Sequence, residues 1–91
     1  SVPEQPPEQS AGPDGGIIRV LAFAAVRDIV GAAEVEVHLP APCTADEAMT
    51  LLLSRYPALA PHRRSIRIAV NGTYAFATDP VRPGDEIALI P

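Results

Sequence analysis

Ninety-one residues make one domain at most, and a formal charge of −4 with a sequence pI near 4.9 excludes the clustered Lys and Arg of a nucleic-acid surface. Hydrophobic residues make up 47% of the chain with no Trp, two Tyr and two Phe, so Ala, Val, Ile and Leu must fill the core. One cysteine excludes an internal disulfide framework and a multi-cysteine metal site, and no apolar run approaches the ~18–20 residues of a membrane span.

Ser1 to Gly16 is rich in Pro, Gly, Glu and Gln and has one apolar side chain beyond Ala. Such a stretch buries too little to offset the entropy of ordering, so residues 1–16 are expected to be a flexible tail and 17–91 the domain. No PxxP with basic flanks is present, which leaves a proline-rich ligand role weakly supported. Ile17 to Ala24 reads as a first strand, with Arg19, Leu21 and Phe23 on one face and Ile18, Val20, Ala22 and Ala24 on the other. The face carrying Arg19 is taken as the outer one, leaving Leu21 and Phe23 on an outer surface. Ala25 to Gly31 is expected to be a short turn or single helical turn closed by Gly31. Glu34 to Leu39 alternates strictly, with Val35, Val37 and Leu39 inward. Its charged outer face and the following Pro40 suit an edge strand.

Thr44 and Glu47 form a capping box at the start of a helix, where Asp46 and Glu47 also face the positive end of the dipole. Ala45, Ala48, Met49, Leu52 and Tyr56 fall on one apolar stripe, and Pro57 ends the helix. Cys43, just before it, reads as a small residue in a connection; activation by the helix N-terminus is the sharper alternative, without a nearby catalytic partner. Ala58 to Ser65 is expected to be a connection. Ile66 to Val70 is a third strand, Asn71-Gly72 a two-residue hairpin turn, and Thr73 to Phe76 the return strand. After the Arg82-Pro83-Gly84-Asp85 turn, Ile87 to Ile90 runs almost wholly apolar, as a strand buried on both sides does. The first and last strands are therefore expected side by side and parallel at the centre of one sheet. The fold class is α+β: a mixed sheet with one main helix packed on one face, in the manner of a ubiquitin-like β-grasp.

Phe23-Ala24-Ala25-Val26-Arg27-Asp28-Ile29-Val30-Gly31, Ala69-Val70-Asn71-Gly72 and Gly84-Asp85-Glu86-Ile87-Ala88-Leu89-Ile90-Pro91 resemble segments of the molybdopterin synthase small subunit. The resemblance runs in register from about Ile18 to Pro91. The last segment is shared more loosely with thiamine-pathway sulfur carriers. The resemblance implies a sulfur carrier whose chain continues past the final proline to Gly-Gly. An ATP-dependent adenylating, ubiquitin-activating-like enzyme activates the last glycine, and sulfur transfer makes it a thiocarboxylate. The tail then enters the active site of the large subunit, within a heterotetramer, and gives sulfur to a pterin precursor. No bound cofactor is implied beyond that modification, and catalytic residues belong to the large subunit. The sequence stops at Pro91, the expected exit point of the tail. The open readings are a tail absent from this sequence, one lost by proteolysis, a continuation into a fused large subunit, and a member that keeps the binding surface without chemistry.

The residues themselves support no independent enzyme. His38 and His62 each stand alone, and Asp85 and Glu86 point to opposite sides of a strand. Parity assigns Phe23, Tyr74 and Ile90 to the face opposite the core, and these are the expected partner-binding residues. No metal site, nucleic-acid partner or membrane partner is expected, and with no visible signal peptide the location is expected to be cytoplasmic. The competing reading is a β-grasp protein-binding module without carrier chemistry.

Overall fold

A computed structural model describes residues 15–91. The expected tail lies outside these residues up to position 14, while Gly16 already pairs with Leu39 and opens the first strand. The elements are β1 (Gly16–Ala22), α1 (Ala24–Val30), β2 (Glu34–Leu39), β3 (Cys43–Thr44), α2 (Ala45–Arg55), a 3-10 helix (Pro57–Ser65), β4 (Arg67–Val70), β5 (Thr73–Tyr74), β6 (Pro80–Val81) and β7 (Glu86–Ile90). The main sheet has the order β2-β1-β7-β4-β5. β1 and β7 are parallel neighbours, and β7 pairs antiparallel with β4 on its other side. The central pairing of first and last strands is thus as the apolar runs predict, and β2 is an edge strand.

The core is aliphatic because alternation delivers it so. Ile18, Val20 and Ala22 of β1, Val37 and Leu39 of β2, and Ile87 and Leu89 of β7 are buried under Ala48, Met49 and Leu52 of α2. Tyr56 and Val35, at the margins of their elements, are half-buried. No polar or charged side chain is buried among the described residues. Full burial of a side chain such as Leu52 is worth ~1.5–3 kcal/mol.

The start of α2 is fully satisfied. Thr44 and Glu47 make the capping box: the Glu47 N–H donates to Thr44 Oγ1 at 3.1 Å and the Thr44 N–H to Glu47 Oε1 at 2.9 Å. The remaining first-turn donors go to the 76–79 loop, Ala45 N–H to the Asp79 carbonyl at 2.8 Å and Asp46 N–H to that of Ala77 at 3.0 Å. This is why the return strand ends at Tyr74 rather than continuing to Phe76. The chain leaves the sheet to cap the helix, and the Phe76 N–H is taken by Asp79 Oδ2 at 2.9 Å.

Three further boundaries differ from the sequence reading. β1 stops at Ala22 instead of Ala24, because Ala24 takes a positive φ of 50° and opens α1, a seven-residue helix. Gly31 closes that helix at φ 88°, its N–H reaching the Arg27 carbonyl at 2.8 Å, as a left-handed C-cap requires. The expected connection from Ala58 to Ser65 is a 3-10 helix that starts at Pro57 and holds buried Leu59. Pro61, inside this helix, has no N–H to donate, so one bond of its ladder is missing. Finally, β3 and β6 form a separate two-stranded sheet through Cys43↔Val81 and Thr44↔Pro80.

Candidate functional site: the outer sheet face and the end of β7

The helix covers one face of the sheet, and the register assigns what lies on the other. Leu21, Ala88, Ala69 and Tyr74 form one row across β1, β7, β4 and β5. One step along the strands, Ile90 stands opposite Arg67, and Phe23 continues the parity of Leu21 just past the end of β1. Phe23, Tyr74 and Ile90 are therefore brought to one face, in two adjoining rows. Phe23 is 47% exposed, Tyr74 58%, and Ile90 half-buried and outside the core cluster. Ala22 and Leu89, the intervening residues, are buried on the opposite side.

Charge frames this apolar strip. On the β1–β2 side Arg19 lies between Glu34, at 3.6 Å, and Glu86, with which it makes a close ion pair. Exposed pairs of this kind contribute ~0–1 kcal/mol, so they shape the surface more than they hold the fold. On the β4–β5 side the Arg67 guanidinium lies 5.0 Å from the centroid of the Tyr74 ring. Sequence reading misses Arg67 as a site residue, although strand parity with Ile90 places it there. It also misses Phe76, 78% exposed, because the hairpin pattern assigns that residue to the return strand.

β7 is tied into the sheet by specific hydrogen bonds. At its start, the Asn71 side chain accepts from the Glu86 N–H at 2.9 Å and donates to Asp85 Oδ1 at 3.1 Å, while the Asn71 N–H donates to the Glu86 carbonyl at 2.8 Å. The Asn71-Gly72 turn that presents this side chain has φ of 51° and 86°, as the hairpin signal requires. On the other side, the Gly84 N–H reaches the Ile17 carbonyl at 2.8 Å and the Arg19 N–H reaches the Asp85 carbonyl at 3.1 Å. Pairing with β4 continues to Ile90.

Among the described residues no nucleophile–base pair is assembled on this face. Cys43 is half-buried beside α2, and burial, followed by the Glu47 carboxylate, pushes its thiol above the ordinary value. The capping box thus places an anion where the helix N-terminus would otherwise favour a thiolate. Among the described residues no three His, Cys, Asp or Glu side chains gather into a metal-binding group, and no helix is long and apolar enough to cross a membrane. What the arrangement can do is present an apolar strip to another macromolecule.

A model of the ThiS family matches residues 20–91. The chain is 30% identical to the molybdopterin synthase sulfur carrier subunit of Arabidopsis thaliana, over 81% of this chain and 77% of that one. It is 34% identical to the human protein of the same description, over 81% of this chain and 88% of that one. Among solved structures, SAMP1 from Haloferax volcanii superposes with a TM-score of 0.75 at 26% identity, covering 84% of this chain and 94% of that chain.

Proposed function

The chain belongs to the ThiS family, and from that premise we propose that it is the small, sulfur-carrier subunit of a molybdopterin synthase. The observation that carries this reading is the end of β7. It is a central strand, held by β1 up to Leu89 and by β4 up to Ile90, so a tail that follows it starts from a point fixed in the middle of the sheet. Both relatives named above are molybdopterin synthase subunits, which favours that branch over a thiamine-pathway carrier.

In this reading the carrier glycine lies in a Gly-Gly tail following Pro91. Its carboxylate attacks the α-phosphorus of ATP on an adenylating enzyme, and pyrophosphate leaves. A hydrosulfide-level sulfur nucleophile then adds to the acyl carbon and AMP leaves, giving the thiocarboxylate. Glycine suits such a tail because a chain without β-carbons passes through a narrow channel. The large subunit supplies the catalytic groups for sulfur delivery to a pterin precursor, and this chain supplies docking and reach. The cytoplasm and a heterotetrameric assembly with the large subunit belong to the same proposal.

Phe23, Tyr74 and Ile90 form the centre of the docking surface, because clustered exposed apolar groups on an otherwise charged face mark an interface. Phe23→Asp is expected to abolish association with the large subunit while leaving far-UV circular dichroism and melting nearly unchanged. Normal binding by a folded mutant would place the interface elsewhere.

A further inference from the structure

A second surface adjoins the strip at Tyr74 and opens around the β4–β5 edge. It is an open groove of about 540 Å³ between the start of α2, the end of the 3-10 helix and that edge. Asp46, Arg63, Arg64, Arg67, Tyr74 and Phe76 line it. Arg63 is paired with Asp46 at 2.6 Å, whereas neither Arg64 nor Arg67 has a carboxylate partner among the described residues. An acidic chain of net charge −4 thus gathers three of its seven basic residues in one groove, beside two of its most exposed aromatic rings.

We propose that this groove docks the chain's own N-terminal segment, from Pro3 to Asp14. Three observations choose that occupant. First, the segment carries Glu4, Glu8 and Asp14 and no basic residue, so its charge complements the groove. Second, Pro3-Glu4-Gln5-Pro6-Pro7-Glu8 is a PxxP stretch with acidic flanks, and proline-rich chains dock against aromatic-lined grooves with little ordering entropy to lose. Basic flanks suit an acidic groove; acidic flanks suit this one.

Third, the segment is long enough. Tyr74 lies in the row of Leu21, five residues along β1 from Gly16 and three strands across. At ~3.4 Å per residue and ~4.8 Å per strand, that separation is roughly 22 Å. The eight residues from Gly16 back to Glu8 span ~25 Å in polyproline geometry. Glu8 therefore reaches Arg67 and Tyr74, and Glu4 reaches the arginines beyond. Docking of this kind needs no core of its own, so a composition unable to fold alone is no obstacle. The direct path from Gly16 to Tyr74 crosses the outer face of the sheet. Where that face is the partner surface, a consequence that rests on the function proposed above, the docked arm competes with the partner.

The docking itself is tested without any partner. A nitroxide is attached at position 1 of the full ¹⁵N-labelled chain through Ser1→Cys, with Cys43→Ala to leave one thiol, and amide broadening is measured against the reduced form. The amides of Arg64, Arg67, Tyr74 and Phe76 are expected to lose most of their intensity while Glu34 and Val35, on the far edge, keep theirs. Because screening shortens to ~3 Å at 1 M salt, the pattern should fade there. It should also fade in Glu4→Gln/Glu8→Gln/Asp14→Asn. Independently of any cysteine change, that triple variant should shift the groove amides of the otherwise native chain. Even broadening across the surface, or no groove shifts in the triple variant, overturns the proposal. So does broadening that appears only between spin-labelled and ¹⁵N-labelled copies, which assigns the groove to a neighbouring molecule.

Discussion

Cys43 shows how burial, reinforced by one charged neighbour, decides the character of a reactive side chain. The thiol precedes a helix, a position that often favours the thiolate, yet burial and the Glu47 carboxylate both hold the proton on. The folded thiol therefore keeps its proton to a higher pH than the unfolded one. Stability from this group is complete below the unfolded thiol's value and falls as pH rises from there through the folded value, because the native state binds more protons in that window. Alkylation by iodoacetamide measured against pH is expected to show its inflection above that of the denatured chain. An inflection at or below the denatured value would mean that the helix end, not burial and the capping carboxylate, governs the site. At the same scale, parity suffices to place Phe23, Tyr74 and Ile90 on one face. It does not reveal Arg67 over the Tyr74 ring, since that contact depends on how β5 folds back.

At the scale of elements, the caps carry local stability that single substitutions can read. Thr44→Ala removes the side-chain acceptor of the Glu47 N–H and is expected to cost ~1 kcal/mol in denaturant unfolding. Gly31→Ala meets open space around the new β-carbon but must keep a φ of 88°, so a loss of about 1 kcal/mol is expected from the backbone alone. A negligible change in either would mean that the helix end relaxes at no cost. The capping box and the Asn71-Gly72 turn are legible because their residue types are tied to a particular hydrogen bond or dihedral angle. β3 and β6 are not, since a two-residue strand has no periodicity. The 3-10 helix is hidden too: Pro57 ends the preceding apolar stripe, and the residues from Ala58 to Ser65 carry no periodic pattern that marks i→i+3 turns. Phe76 is misplaced by its sequence pattern because the demand that draws its loop from the sheet comes from the N–H groups of α2, far earlier in the chain.

For the whole molecule, the first and last strands decide the outcome. Their near-continuous apolar runs identify them as partners from residue types alone, because a strand buried by neighbours and helix together has no polar face to alternate with. The expected tail of residues 1–16 has only its final residues within the described structure, and Gly16 proves to be part of β1. The central claim is that β7 fixes the origin of a tail that carries sulfur. Its most direct test is the intact mass of the native protein isolated together with its adenylating enzyme. The expected result is a chain ending in Gly-Gly, with a species heavier than the free acid by the difference between one sulfur and one oxygen, lost on hydrolysis of the thiocarboxylate. A native chain that ends without glycine, or a Gly-Gly chain found as the free acid after ATP and a sulfur source are supplied, would contradict it.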